Sequence, residues 1–378
     1  MTLRYSHIAI LAWMLLFCGC IQRGSLNPDA EVISFQAQAP LVQNSPGTKT
    51  GVIKTGTTFK DSGNDRMAVF GWHNGEPDHP ERVFQSETER IHKIVASFNG
   101  PEIWPYLDSP TPWDWKNTTT DYYDFLAVYP ATAAPDAATT SAANPHLVIS
   151  NTYAPTRSSQ YDLMVDGVRR TADETSRDRT VAFNFTHRLC AVKVIIKNDS
   201  ASDASFTLHS YYFKNMITRA DWQAALDAGV VNFTWSNPQR SSDPFLGSDP
   251  GSDLNRTLPS SGTESERTYD PGTANAATGT ETGFDLMVPQ TLSPAGIKPA
   301  IFISYTKATD ANPTTKSVSL QNIPVKTGSG PQNTIDAWEP GKKYIYEITI
   351  RVGGGVIVNV ITTEWDEVEA ETPGLLIS

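Results

Sequence analysis

The chain has 378 residues, of which 39% are hydrophobic and 19% charged, and its net charge is −11. The length suffices for two domains of about 150 residues or more each. An acidic chain repels nucleic acid and anionic lipid surfaces alike, which counts against both as partners.

Arg4 supplies a positive start, residues 8–17 form an uninterrupted apolar run, and Cys18-Gly19-Cys20 closes it ahead of a polar stretch at 21–25. A basic start, a short apolar region and a small residue before the cut describe a secretory signal peptide. The run is too short to span a bilayer, which takes roughly 20 residues. A cysteine directly after Gly19 makes the segment similar to a bacterial lipoprotein signal, with Phe17 departing from the leucine usual there. This predicts removal of residues 1–19 and acylation of Cys20; plain secretion, or a cytosolic protein with a chance apolar start, are the other outcomes. Each methylene that an acyl chain buries contributes about 0.8 kcal/mol of anchoring. Removal takes away Arg4 and no acid, so the net charge moves from −11 to −12. Cys18 leaves too, and with Cys20 acylated Cys190 stands alone, so no intramolecular disulfide can form. In the apolar run Leu189-Cys190-Ala191-Val192 this cysteine reads as a buried, inert thiol.

From residue 30 onward the chain reads as strands and loops. Strand-type runs occur at 32–37, 67–72, 123–129, 161–165, 181–185, 191–196, 206–213, 301–305, 344–350 and 356–361. Several alternate: Val181, Phe183 and Phe185 point one way, Ala182 and Asn184 the other, the period of a half-buried antiparallel strand. Clusters of Pro, Gly, Asn, Asp and Ser separate the runs, and many short strands with such breaks predict sandwiches. Two stretches read as helical: 220–227, ended by Gly229, and 87–92. Tyr161-Asp-Leu-Met-Val165 echoes in Phe284-Asp-Leu-Met-Val288, which supports two related domains. Residues 236–282 are rich in Ser, Gly, Pro, Thr and Asp and read as a long loop or insertion. The expected division is a signal over 1–19, a linker over 20–29, one β-sandwich over 30–180 and a second over 181–378.

No phosphate-binding P-loop, nucleophile elbow, HExxH or paired CxxC is present. His73, Glu76, Asp78 and His79 are chemically able to ligate a metal, but they lie in a Gly/Pro-rich stretch where solvated polar side chains explain them equally well. No pair of carboxylates stands out for hydrolysis. Trp104, Trp113 and Trp115, beside Asp114 and Asn117, offer flat faces that could stack sugar rings; the same aromatics would also serve as core. Lys49, in a polar loop after the first strand and a Pro-Gly turn, suits a trypsin-like protease. Neither an enzyme nor a cofactor or metal site is expected.

Taken in order, several of these pieces resemble the fimbrillin family, the pilin-like lipoproteins of type V pili. They are Ile33-Ser-Phe35, Thr48-Lys49, Met67-Ala-Val-Phe-Gly-Trp72, Tyr123-Asp-Phe-Leu-Ala-Val-Tyr-Pro130 and Asp162-Leu-Met-Val165. Further on come Phe183-Asn-Phe-Thr-His-Arg-Leu-Cys-Ala-Val-Lys193, Val288-Pro-Gln-Thr-Leu292, Trp338-Glu-Pro-Gly-Lys-Lys-Tyr-Ile-Tyr346 and a stretch from Val360 to Asp366. The resemblance implies an all-β fold of two tandem transthyretin-like antiparallel β-sandwich domains. It implies export as a lipoprotein to the outer membrane and cell surface, and proteolytic removal of the first strand. That removal opens a groove which a strand of the next subunit fills, by β-strand addition. Residues 32–39 suit the removable strand, with Ile33, Phe35, Ala37 and Ala39 on one face. The implied partners are other pilin subunits, a membrane through the lipid before processing, and a host or bacterial surface receptor. Lys49 stands where the family commonly carries arginine, and no acidic run follows Cys20. The alternative is a surface glycan-binding lipoprotein using Trp104, Trp113 and Trp115.

Overall fold

The computed structural model describes residues 34–38, 66–74, 91–92, 94–97, 122–135, 137–140, 147–156, 159–171, 180–199, 204–247, 254–271, 283–326, 334–351 and 355–364. Among these residues there is no α-helix, only strands and one 3-10 turn, Ala131–Ala133.

The first ten strands are β1 (Ser34–Gln38), β2 (Arg66–Asn74), β3 (Ile91–His92), β4 (Ile94–Ser97), β5 (Tyr122–Tyr129), β6 (Ala137–Thr140), β7 (Leu147–Tyr153), β8 (Met164–Thr171), β9 (Thr180–Asn184) and β10 (Thr186–His187). Next come β11 (Cys190–Asn198), β12 (Phe206–Lys214), β13 (Met216–Asp227), β14 (Val230–Ser241), β15 (Arg256–Leu258), β16 (Thr268–Tyr269), β17 (Asp285–Met287) and β18 (Gln290–Thr291). The last are β19 (Ala300–Lys307), β20 (Thr314–Ser319), β21 (Ile323–Pro324), β22 (Thr334–Ile335), β23 (Ala337–Trp338), β24 (Lys342–Ile350) and β25 (Val356–Glu364).

In the first half, a sheet ordered β10-β8-β5-β2-β4 lies in the middle. Both of its faces are covered. Tyr123, Phe125, Ala127 and Tyr129 of β5 enter one buried cluster, Leu126 and Val128 another. A strand with two buried faces lacks the alternation of a half-buried one, so 67–72 reads as an unbroken apolar run and 123–129 as a run interrupted only by Asp124, which is buried and paired with Arg169. The cover on one side is the pair β1–β9, and on the other the sheet β14-β13-β7-β6-β3. In the second half, the sheets β16-β11-β24-β25 and β15-β12-β19-β20 enclose a core that includes Val192, Val194, Phe213, Ile303, Tyr346 and Ile348. The all-β layered architecture expected from the alternating runs is thus what forms. Two pairings, β1–β9 and β11–β24, are parallel, contrary to an all-antiparallel arrangement.

Two expectations need correction. Residues 220–227 are strand, not helix: Ala220, Trp222, Ala224 and Leu226 are buried while the residues between them are not. That period of two was present in the sequence, but the alanines, Gln223 and Leu226 masked it with helical propensity; tertiary burial overrides that preference. Of the second helical stretch, 91–92 is strand and 87–90 falls outside the described residues. The loop-rich stretch at 236–282 also carries the end of β14 together with the short strands β15 and β16, which extend two sheets of the second half. Leu258 there is fully buried, and Asn198 Nδ2 donates to its carbonyl at 3.1 Å.

The sheets also ignore a linear division at residue 180. β9 and β10 belong with the first half, and the chain passes to the other sandwich at Arg188–Leu189. The hairpin β13–β14 then returns, and β13 pairs with β7 over Ala220–Leu226. Gly167 makes this return possible: a Cβ there would stand 2.9 Å from both Leu226 Cδ1 and Val231 Cγ2. Leu189, Ala191, Leu286 and Val288 join the first-half core, while Cys190, Val192 and Met287 join the second, so β11 and β17 form a wall common to both. The two echoed segments meet here. Met164-Val165 pairs with β10 and Asp285–Met287 with β11, on successive stretches of one chain. Cys190 is fully buried, its Sγ donating to Met287 O at 3.3 Å, and burial raises its pKa well above the usual thiol range.

Candidate functional site: the groove under the first strand

β1 carries the residues expected on the removable strand. Phe35 is fully buried and Ala37 is 6% exposed. Both enter the same cluster as Met67, Val69, Phe125, Met164, Val181 and Phe183. The Phe35 ring meets Phe125 edge-on at 5.8 Å and stacks on Phe183 at 6.0 Å. Phe183 in turn stacks near Phe185, and Phe185 meets Tyr129 edge-on at 6.4 Å. Phe125 and Tyr129 of the middle sheet thus lie beneath the β1–β9 pair, with Phe183 beside β1.

The backbone of β1 pairs with β9 alone among the described strands, in parallel register from Ser34 opposite Thr180 to Gln38 opposite Asn184. β9 in turn has β1 as its one strand partner among the described residues. Lifting β1 away uncovers an unpaired strand edge and an apolar floor together, which is a template for another strand. Ile33 is outside the described residues, as are Cys20, Lys49, Trp104, Trp113, Trp115, Glu76, Asp78 and His79. His73 is in β2, with its side chain undescribed.

The run from Phe183 to Leu189 ties this groove to the rest of the molecule, residue by residue. Phe183 and Phe185 line the side of the groove next to β1 and pack on the same cluster. The amide of Asn184 donates to Asp166 Oδ2 at 2.6 Å, which pins the end of β9 to β8. Burial raises the Asp166 carboxyl pKa, and the hydrogen bonds from the Asn184 and Gly167 amides pull against it. His187 Nδ1 lies 2.9 Å from Asp162 Oδ1, both side chains essentially buried. Arg188 donates to Val165 O at 3.1 Å and lies over the Phe233 ring at 5.0 Å, which reaches the returning hairpin. On the other edge, Arg169 grips the buried Asp124 with two bonds of 2.7 and 2.8 Å and covers the Tyr122 ring at 3.8 Å. A buried carboxylate needs such a bidentate partner, so the middle sheet is fixed independently of β1.

Phe35 and Ala37 share one buried face, and β1 lies beside β9. Parallel neighbours far apart in sequence leave no local signal. The β13–β14 hairpin is a structural partner of the first half, and its sign in the sequence is the alternation from Ala220 to Leu226.

The model of the fimbrillin-like family matches residues 53–365. This protein belongs to that family. No curated protein matches the chain. Solved structures do: a proposed cell adhesion protein from Bacteroides uniformis is 16% identical, with a TM-score of 0.46, over 90% of this chain and 99% of that one. The tip fimbrial protein Mfa3 from Porphyromonas gingivalis, with a C-terminal truncation, is 11% identical, with a TM-score of 0.33, over 80% and 94%. A fimbrial assembly protein from Parabacteroides distasonis is 9% identical, with a TM-score of 0.37, over 88% and 95%.

Proposed function

We propose that the protein is a structural, non-enzymatic subunit of a surface fimbria with a role in adhesion, joined to its neighbours by replacement of β1. In this reading it is exported as a lipoprotein through Cys20, its two halves are variants of the family's transthyretin-like sandwich, and cleavage at Lys49 removes residues 20–49 with β1 among them. A strand of another subunit then pairs with β9 and seats its alternate side chains on Phe125, Phe183 and their neighbours. Membership of the fimbrillin-like family supports the fimbrial assignment. The observation that carries the exchange step is β1 itself: two buried side chains on one face, and a single strand partner among the described residues. A strand so attached can leave while the middle sheet keeps its own ladder.

The test is limited trypsin digestion of the purified mature protein, with N-terminal mass mapping and size analysis. A cut after Lys49 followed by SDS-resistant ladders is expected, and Lys49→Gln should suppress both. A product that stays monomeric after losing residues 20–49, or a chain cut only elsewhere, overturns the exchange mechanism.

A further inference from the structure

The outer face of the returning hairpin carries a second concave surface, away from β1. The ladder of β13 and β14 slips twice, between Ile217 and Arg219 and between Arg219 and Asp221, and Asn237 takes a positive φ of 48°. Such irregularities re-aim side chains that a regular strand would space evenly. Here they open a cleft of about 520 Å³ across β7, β13 and β14, where Thr152, Arg219, Asp221, Gln223, Thr234 and Asn237 meet. That volume lies within the range of small-ligand sites, roughly 300–1,000 Å³.

The chemistry of the lining is specific. Asp221 Oδ1 accepts from Thr152 Oγ1 at 2.6 Å, and Oδ2 accepts from Asn237 Nδ2 at 2.9 Å. These bonds, the Thr152 one foremost, lower the carboxyl pKa, so the group is ionised at neutral pH. They also fix its orientation while each oxygen keeps a lone pair for a further donor. Arg219 adds an exposed guanidinium, Gln223 an amide, and Thr234 a hydroxyl. One cation and one anion leave the cleft without net charge, which disfavours phosphate, sulfate or a charged peptide. Protein partners need apolar or aromatic anchors, and the exposed large hydrophobics among the described residues, Val230 and Ile297, lie outside this cleft.

We propose that this cleft binds a neutral, hydroxyl-rich saccharide, with Asp221 accepting and Arg219, Gln223 and Thr234 completing the hydrogen bonds to its hydroxyls. The exposed lining offers no aromatic stacking surface, so one copy binds weakly. Only the gain from many copies on a filament rests on the fimbrial reading; the site itself does not.

Affinity electrophoresis of the uncleaved monomer through gels containing dextran, mannan, galactan or, as a charged comparator, heparin tests this, and it is independent of strand exchange. Retardation by at least one neutral polysaccharide is expected. Asp221→Ala should weaken it about tenfold or more. Thr234→Trp, which fills the cleft from an exposed position on an edge strand, should abolish it. Thr315→Trp, on the exposed edge strand β20, should leave it unchanged. No retardation by any neutral polysaccharide, retardation by heparin alone, or retardation that survives both cleft variants overturns the proposal.

Discussion

Replacing Phe35 with alanine is expected to release β1 without unfolding the molecule. The side chain is fully buried and lies against two rings, Phe125 and Phe183. Truncating a buried phenylalanine costs about 3–5 kcal/mol. If β1 opens as a unit, that whole cost falls on its local opening equilibrium, not on the global one. At about 1.4 kcal/mol per decade, amide exchange across residues 34–38 should accelerate by roughly 10²- to 4 × 10³-fold. Amides of β5, held by β2, β8 and the Arg169–Asp124 grip, should change little. Native-state hydrogen exchange read by mass spectrometry measures both in one experiment. Acceleration of less than about tenfold in β1 would refute the claim that Phe35 holds the strand. Equal acceleration in β1 and β5 would show instead that β1 is an inseparable part of the core, and strand replacement would then require unfolding the first half.

Two further outcomes check other parts of the argument. Gly167→Val places methyl groups where a bare Cβ already meets Leu226 and Val231 at 2.9 Å; overpacking of this kind costs about 1–3 kcal/mol, so Tm should fall by several degrees, with faster exchange concentrated in the β13–β14 hairpin. An unchanged Tm would mean the hairpin is not pressed against β8. Glu347 lies between Lys197 at 3.0 Å and Lys326 at 2.8 Å. Burial raises its carboxyl pKa, but the hydrogen bonds from Lys326 and Lys197 outweigh burial, and the net pKa lies below the ordinary 4.5. A carboxyl held low stabilises the fold above the unfolded pKa and ceases to do so as pH falls through the folded one. Chemical denaturation followed below about pH 4.5 should therefore show a shallower acid loss for Glu347→Gln than for the parent, and superimposable curves would refute the linkage.

The strands themselves were legible wherever burial leaves a periodic mark. The alternation of Val181, Phe183 and Phe185 identified a half-buried strand, and the apolar-rich run from Tyr123 to Tyr129 identified another, because side-chain direction in a strand is a local property; that the second buries both faces was shown only by the structure. Phe35 and Ala37 could be assigned to one apolar face on the same ground. What covers each face was decided only by tertiary structure. Nothing near Phe35 specifies Phe183 as its neighbour, nothing in β13 specifies a return to β7, and no local pattern shows that Leu189 and Cys190, adjacent in the chain, face different cores. These are non-local pairings, selected by which combination of sheets buries the most apolar surface. The polar cleft belongs to the same class. Thr152, Asp221 and Asn237 are ordinary solvated residues in sequence; the pairing of β7 with β13 sets Thr152 opposite Asp221, and the slipped register between β13 and β14 adds Asn237.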